Sequence, residues 1–232
     1  MDRRLYGAVV ARNRRARGFC RCFQWQLVRT TKLNEPDLTK EEKLIMRNPL
    51  KILAVPGSVR ASSFNRGLLV AARNIGQSEI EIEIYEGLGE LPIFSQDLEG
   101  ENMPARASEL DRALRNADAV LIATPEYTGS IPGGLKNLLD WAARPFGNGA
   151  FQGKPTAIIG ASPGQYGAAR SVEMTTNIVG ALGANVLERN LTVGRAMDRF
   201  DSDGTLSDET VKRSLEDVLT GLSDLARRPV TA

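Results

Sequence analysis

The chain has 232 residues, of which 42% are hydrophobic and 25% charged, and its formal net charge is +2 at pH 7. This length suits one α/β domain of moderate size and excludes two large ones. The apolar runs are too short for a membrane span, and the absence of His removes the usual general base and metal ligand, so we expect no metal site.

The charge is distributed unevenly along the chain. Residues 1–45 contain 11 Lys and Arg against 5 Asp and Glu, a net charge of +6, whereas residues 46–232 contain 19 against 23, a net charge of −4. The basic segment lacks a groove-entering motif, so we expect no nucleic-acid partner. It also lacks the composition of a transit or signal peptide. We therefore predict a basic extension over 1–45, either disordered or the product of an early start codon, and a compact domain over 46–232.

Both cysteines, Cys20 and Cys22, lie in the basic segment and are separated by one residue. This spacing is neither a Cys-x-x-Cys redox motif nor half of a zinc site. A domain without cysteine suits a reducing compartment, and we expect a cytoplasmic protein.

Predicted strands and helices alternate five times along the domain. The strands fall at 52–55, 79–85, 119–123, 156–160 and within 185–193, and the helices at 65–77, 104–116, 133–143, 168–182 and 207–227. This order predicts an α/β fold with a doubly wound, five-stranded parallel sheet between two helical layers. Strict alternation of Glu and Ile at 79–84 predicts an edge strand with one exposed face, and the apolar run at 119–123 predicts a central strand.

The loop from Gly57 to Asn65, between the first strand and helix, has the composition of a phosphate site. The first turn of a helix offers free N–H groups and a partial positive charge. We expect Gly57 to let the chain turn close to the anion and Asn65 to cap the helix. Four side chains can donate to phosphate oxygens: Ser58, Arg60, Ser62 and Ser63. Because the loop is neither a Walker A nor a Gly-x-Gly-x-x-Gly motif, it favours a single phosphomonoester; a serine-rich helix cap with a solvated Arg is the alternative.

The loops after the third and fourth strands are also unusual in composition. In the segment from Thr124 to Pro132, Pro and Gly hold the backbone in an open path that can contact the polar edge of a planar ring, and Tyr127 can offer a flat face. The Gly-rich segment 161–170 can border the same ligand. The carboxyl ends of parallel strands meet at one edge of a sheet, so we expect the three loops to converge on one crevice. Rigid turns without a ligand are the alternative.

Taken together, the loops resemble the NADPH-dependent FMN reductase family of flavodoxin-like proteins. The family's Gly-Ser-x-Arg-x-x-Ser-x-Asn motif is matched by Gly57, Ser58, Arg60, Ser63 and Asn65. Its second motif is matched by Pro125, Glu126, Tyr127, Ser130, Pro132, Gly133, Leu135, Lys136, Asn137, Asp140 and Trp141. Two positions depart from the family: Thr128 replaces the usual Asn, and Ala168 replaces a Gly.

The resemblance implies a flavodoxin-like fold and an FMN-dependent NAD(P)H oxidoreductase. The FMN phosphate is expected at Ser58, Arg60, Ser63, Phe64 and Asn65, and the ring at Pro125, Glu126, Tyr127, Thr128 and Gly129. Ser162, Gly164, Gln165 and Gly167 are expected to close one side. We expect Lys136, Asn137 and Asp140 to serve the helix face or an interface rather than catalysis.

The same resemblance implies NADPH or NADH as co-substrate and a quinone, chromate, azo dye or free flavin as acceptor. No side chain is expected to be catalytic, because the flavin N5 carries the hydride chemistry. Subunits of this family commonly pair, which implies a homodimer or homotetramer. Two alternatives stay open: a flavodoxin-type electron carrier, and a module that binds flavin or phosphoesters without catalysis.

Overall fold

The structure is a computed structural model that describes residues 49–76 and 79–228. The predicted basic extension, with Cys20 and Cys22, lies outside the described residues. Strands and helices alternate as follows: β1 (Leu50–Pro56), α1 (Phe64–Gly76), β2 (Ile80–Ile84), α2 (Ala105–Asn116), β3 (Ala119–Ala123), α3 (Gly133–Ala142), β4 (Pro155–Ala161), α4 (Ala169–Ala181), β5 (Asn185–Val186), β6 (Leu191–Val193) and α5 (Glu209–Arg227).

The strands form one parallel sheet in the order β2-β1-β3-β4-β5, with β6 also paired to β4. This order is that of flavodoxin-like folds, and it confirms the predicted fold class. β2 lies at the edge of the sheet, with Glu81 and Glu83 exposed and Ile82 and Ile84 buried. The order of the strands reverses between β1 and β3, which places a crevice at their carboxyl ends.

The predicted fifth strand over 185–193 was wrong in one respect, because the structure divides it in two. β5 pairs with Pro155 and Thr156 at the start of β4, whereas β6 pairs with the end of β4. The Leu187 N–H still donates to the Thr156 carbonyl (2.8 Å), and its side chain packs against the core beside Gly221 of α5. The chain leaves the sheet over residues 188–190. Both segments therefore extend the same edge of β4, and the sheet has six strands.

Helices cover both faces of the sheet, each over its own apolar core. α1 and α5 enclose one core with buried residues such as Leu68 and Leu215, and α2, α3 and α4 enclose the other with residues such as Leu110 and Leu138. Full burial of each such side chain contributes about 1.5–3 kcal/mol. None of the helices in the described part of the chain is long and apolar enough to cross a bilayer.

The N-cap of α5 is Asp208. The Asp208 Oδ1 accepts hydrogen bonds from the backbone N–H groups of Thr210 (2.8 Å) and Val211 (3.0 Å). The Val211 N–H and the Arg199 guanidinium hold the pKa of the Asp208 carboxyl below its usual value. The other oxygen of the same carboxylate, Oδ2, pairs with the Arg199 guanidinium.

Candidate cofactor site

Three loops meet at the carboxyl ends of β1, β3 and β4, which are neighbours in the sheet. We call residues 57–63 the first loop, 124–132 the second and 162–168 the third. The Ser58 Oγ lies 3.1 Å from the Tyr127 hydroxyl, joining the first loop to the second. The Thr124 Oγ1 lies 2.8 Å from the Ser171 Oγ, joining the second loop to α4. The expected convergence of the loops on one crevice is therefore present.

Gly57 packs closely against the start of the second loop. Its N–H donates to the Ala123 carbonyl at 2.7 Å, and a Cβ at this position would lie 3.0 Å from that oxygen and 3.2 Å from the Pro125 Cδ. The missing side chain lets the first loop pack against the second, and the expected approach of the chain to an anion stays a prediction.

Ser58 and Tyr127 share a hydrogen bond at the bottom of the first loop. Ser58 is only 7% exposed, and its Oγ also accepts the Arg60 N–H at 3.3 Å. Each hydroxyl carries one proton, and the bond between them uses one of the two. One O–H donor of the pair therefore remains for a ligand oxygen.

The first loop and the start of α1 fit a phosphate. The exposed Arg60 is held over the loop by two bonds of 3.3 Å from its Nη2 to the carbonyl and the hydroxyl of Ser62. The first main-chain bond of α1 runs from the Gly67 N–H to the Ser63 carbonyl at 3.0 Å. The N–H groups of the residues between them precede the hydrogen-bonded ladder of the helix and point out of its end. This set of N–H, hydroxyl and guanidinium donors is what an anion at a helix N-terminus requires.

Two residues that we expected at the phosphate, Phe64 and Asn65, use their side chains elsewhere. Asn65 is 2% exposed, donates from its Nδ2 to the Ala161 carbonyl (2.9 Å) and accepts the Ala161 N–H (2.8 Å). α1 begins at Phe64, so Asn65 lies inside the helix and its expected role as the cap is wrong. The Phe64 ring packs on Phe200, with 5.2 Å between ring centroids. Only the main chain of these two residues is positioned for a phosphate.

The second loop is a tight two-residue turn. Tyr127 and Ser130 exchange two main-chain hydrogen bonds of 3.0 Å, while Thr128 and Gly129 have φ angles of +53° and +72°. Positive φ at both central residues defines a type I′ turn, which favours Asn followed by Gly. The usual Asn of the family therefore has a conformational reason, and the β-branched Thr128 is strained here.

The remaining residues of the second loop differ in exposure. Pro125 is buried, Glu126 is half-buried, and Tyr127 is 45% exposed. Because the Tyr127 hydroxyl is tied to Ser58, its ring stands at the junction of the first two loops.

The third loop is also formed by residues in the left-handed region. Gly167 and Ala168 have φ angles of +58° and +66°, so Ala168 is strained at a position where the family has Gly. The Ser162 Oγ accepts the Gly164 N–H at 3.2 Å, which turns the loop, and Gln165 is exposed.

A support for the third loop was missed by sequence reasoning. The Arg195 N–H donates to the Gly164 carbonyl (3.0 Å), and the Ala196 N–H to the Ser162 carbonyl (3.1 Å). A Cβ at Gly194 would lie 2.1 Å from the Gln165 carbonyl oxygen, so only Gly fits there. The signal for this contact in the sequence is Gly194, which directly follows the predicted fifth strand.

The motif residues of α3 contact a neighbouring segment or one another. Asn137 accepts the Phe94 N–H (2.8 Å) and donates to the Pro92 carbonyl (2.9 Å), which also accepts the Trp141 indole N–H (2.8 Å). Lys136 and Asp140 pair with each other one turn apart. These contacts agree with the expected helix-face role.

Cavities border the loops on two sides. A trough of about 410 Å³ separates the first loop from residues 85–90, where Arg66 donates two bonds of 2.7 and 2.6 Å to Glu86 and lowers the pKa of that carboxyl. A cavity of about 460 Å³ beside the second loop is lined by Glu126, Tyr166, Ala169 and Arg170. Residues 49–76 and 79–228 contain no group of three or more acidic or Cys side chains suited to a metal ion.

Comparison with known proteins identifies the family. A profile described as NADPH-dependent FMN reductase matches residues 50–198. The chain is 33% identical over 184 residues to an NAD(P)H-dependent FMN reductase of Pseudomonas aeruginosa, covering 79% of this chain and 98% of that protein. It is 36% identical over 184 residues to an NAD(P)H:quinone oxidoreductase of Solanum tuberosum, covering 76% and 93%.

A solved structure gives the same result. The flavoenzyme NAD(P)H:(acceptor) oxidoreductase FerB of Paracoccus denitrificans matches with a TM-score of 0.68 and 30% identity, over 76% of this chain and 97% of that one. The profile, the curated relatives and this structure agree with the motifs of the first and second loops. The chain belongs to the NADPH-dependent FMN reductase family.

Proposed function

We propose that the protein is an FMN-dependent NAD(P)H oxidoreductase that reduces a small-molecule acceptor such as a quinone or a flavin. One observation carries this proposal: in a chain of this family, a first loop rich in phosphate donors and two further loops meet at the carboxyl ends of the strands, beside the point where the strand order reverses. FMN, when bound, supplies the chemistry by taking hydride from NADPH or NADH and passing the electrons on.

At the phosphate end, the chain supplies donors. Arg60 and the hydroxyls of Ser58 and Ser63 donate from side chains, whereas Phe64 and Asn65 donate from the main chain. This division follows from the side-chain contacts of Asn65 with Ala161 and of Phe64 with Phe200.

At the end of the site assigned to the flavin ring, the second loop forms a rigid edge. The type I′ turn fixes the main chain at Thr128 and Gly129, and Pro125, Glu126 and Tyr127 complete the edge. The third loop closes one side through Ser162, Gly164, Gln165 and Gly167. Residues 46–232 contain neither His nor Cys, so the part of these residues in the reaction is positioning and electrostatics.

The purified full-length protein tests this proposal directly. We expect visible flavin absorbance, and steady oxidation of NADPH or NADH when benzoquinone, FMN, chromate or an azo dye is added; the rates rank the acceptors. A protein that stays colourless after addition of FMN contradicts the proposal. A yellow protein with no steady NAD(P)H oxidation contradicts it too, and points to an electron carrier.

The assignment of the phosphate to the first loop has its own test. Ser58→Ala combined with Arg60→Gln removes a hydroxyl and a guanidinium, and we expect FMN affinity to fall about 10- to 100-fold because charge-assisted hydrogen bonds are lost. Fluorescence titration of the apoprotein with FMN measures this. Arg213→Gln, at an exposed position of α5, serves as the control. Unchanged FMN affinity in the double variant contradicts the assignment.

We further propose that the protein works as a homodimer or homotetramer in the cytoplasm. Exposed apolar side chains support an oligomer, since Ile93 is 81% and Phe146 is 92% exposed. The lack of cysteine in residues 46–232 supports a reducing compartment. Light scattering coupled to size exclusion distinguishes monomer, dimer and tetramer.

A further inference from the structure

Arg170 stands beside the second loop at the edge of the 460 Å³ cavity. It is the second residue of α4 and is exposed, and its Nη1 lies 3.7 Å from the point that a Cβ on Gly129 would occupy. Glu126, Tyr166 and Ala169 line the same cavity. A guanidinium therefore borders the loop that we assign to the flavin ring, and it is not among the residues of the first loop.

This guanidinium is available to an anion. Within residues 49–76 and 79–228, the ion pairs join other cations, such as Arg66 with Glu86 and Arg144 with Glu99, and no carboxylate lies within 4.0 Å of Arg170. An Arg with no carboxylate partner at a cavity wall is suited to phosphate, which it can bind through two parallel hydrogen bonds.

The co-substrate of the proposed reaction carries such a group. Hydride transfer requires the nicotinamide to lie against the flavin ring, and the nearest charged group along NADPH or NADH is the pyrophosphate. We propose that Arg170 binds this pyrophosphate and thereby determines affinity for both dinucleotides, an inference that rests on the proposed function. The phosphate of FMN is assigned to the first loop, so FMN retention does not depend on Arg170.

The residues around Arg170 increase the loss of dinucleotide affinity that we expect when the guanidinium is removed. Glu126 lies in the same cavity, so removal of the guanidinium leaves a carboxylate facing the pyrophosphate and adds repulsion to the lost attraction. Tyr166 is 75% exposed in the same wall and offers a flat apolar face to the rest of the dinucleotide.

Arg170→Gln and Arg170→Lys in the FMN-loaded full chain test the inference. We measure KM for NADPH and NADH with an uncharged quinone, and Kd for NADP⁺ and NAD⁺ by isothermal titration calorimetry. In Arg170→Gln we expect all four constants to rise by about 10-fold or more, with kcat, the quinone KM and FMN content unchanged. Arg170→Lys restores part of the affinity because it keeps the charge. Arg73→Gln, an exposed position in the last turn of α1, is the matched control.

Three results overturn the inference. Unchanged KM and Kd in Arg170→Gln show that the guanidinium does not touch the dinucleotide. A loss confined to NADPH and NADP⁺ places it at the 2′-phosphate instead of the pyrophosphate. A changed molecular mass in solution assigns Arg170 to a contact between copies of the chain. A wild-type protein that neither holds FMN nor oxidises NAD(P)H is a separate result, because it overturns the proposed function and with it the basis of this inference.

Discussion

At the scale of single residues, Thr128 is the position where sequence and backbone geometry disagree. Its φ of +53° belongs to a type I′ turn whose first central position favours Asn or Gly. A β-branched residue is destabilised at positive φ because its side chain crowds the backbone. The departure from the family motif is therefore a conformational cost as well as the loss of an amide.

Thr128→Asn should relieve this strain. We expect the free energy of unfolding of the apoprotein to rise by about 1 kcal/mol, the lower end of the cost of a left-handed non-Gly residue. Urea denaturation measures the change. Thr220→Asn, at an exposed site on α5, is the control, because Thr and Asn have similar helix propensities and the change should stay within about 0.5 kcal/mol. Equal effects of the two substitutions would show that Thr128 is not strained.

The sequence predicted which loops form the site better than which atoms pair within it. Ser58 forms a hydrogen bond with Tyr127, which is 69 residues away in sequence, and Asn65 with Ala161, which is 96 residues away. Ser and Asn near a helix start are typical of both phosphate donors and caps, so residue type alone could not reveal these distant partners. The packing of Gly57 against the second loop was not predicted for the same reason, because the residues that fill the space of its side chain are distant in sequence.

At the scale of elements, the side chain of Asn65 joins the start of α1 to the end of β4 through two hydrogen bonds. Its amide satisfies both the N–H and the carbonyl of Ala161, and all these groups are buried. The contact fixes the position of the helix end that we assign to the phosphate relative to the start of the third loop.

Asn65→Ala should therefore destabilise the folded protein. Each buried main-chain group left without a partner costs about 1–3 kcal/mol, so we expect the unfolding free energy to fall by about 3 kcal/mol. Thermal and urea unfolding of the apoprotein measure this loss. Asn74→Ala replaces an exposed Asn of the same helix and should change stability by about 0.5 kcal/mol or less. A loss in Asn65→Ala no larger than that of the control would mean that the two bonds do not hold α1 in place.

Periodicity located the regular elements closely. The amphipathic and apolar patterns placed α2 and β3 within one residue of their bounds, because burial on one or both faces sets those patterns directly. The division of the fifth strand was not predicted. Residues 187–190 contain no Gly or Pro that would mark an interruption.

At the scale of the whole molecule, residues 1–45 differ in charge from the rest of the chain, and the family profile matches only the latter. The profile match begins at residue 50, which is also where β1 begins. We propose that residues 46–232 form the catalytic domain and that the basic residues 1–45 are an extension outside it.

A chain of residues 46–232 should then behave like the full protein in the domain's own properties. We expect its FMN affinity, its kcat with NADPH and its Tm to match those of the full chain, because β1 and the three loops are complete. Parallel fluorescence titration, steady-state kinetics and thermal unfolding of the two chains make the comparison. A shortened chain that aggregates or binds FMN 10-fold more weakly would assign residues 1–45 to the fold.

The hydrogen bond between Ser58 and Tyr127 has a consequence for how binding energy is distributed along the flavin. It connects the loop assigned to the anionic tail with the loop assigned to the aromatic head. Residues that share a hydrogen-bonded contact usually give non-additive effects when both are changed. Losses of FMN affinity from a substitution at Ser58 and from one at Tyr127 should therefore not be additive, and we expect binding at the two ends of the flavin to be coupled.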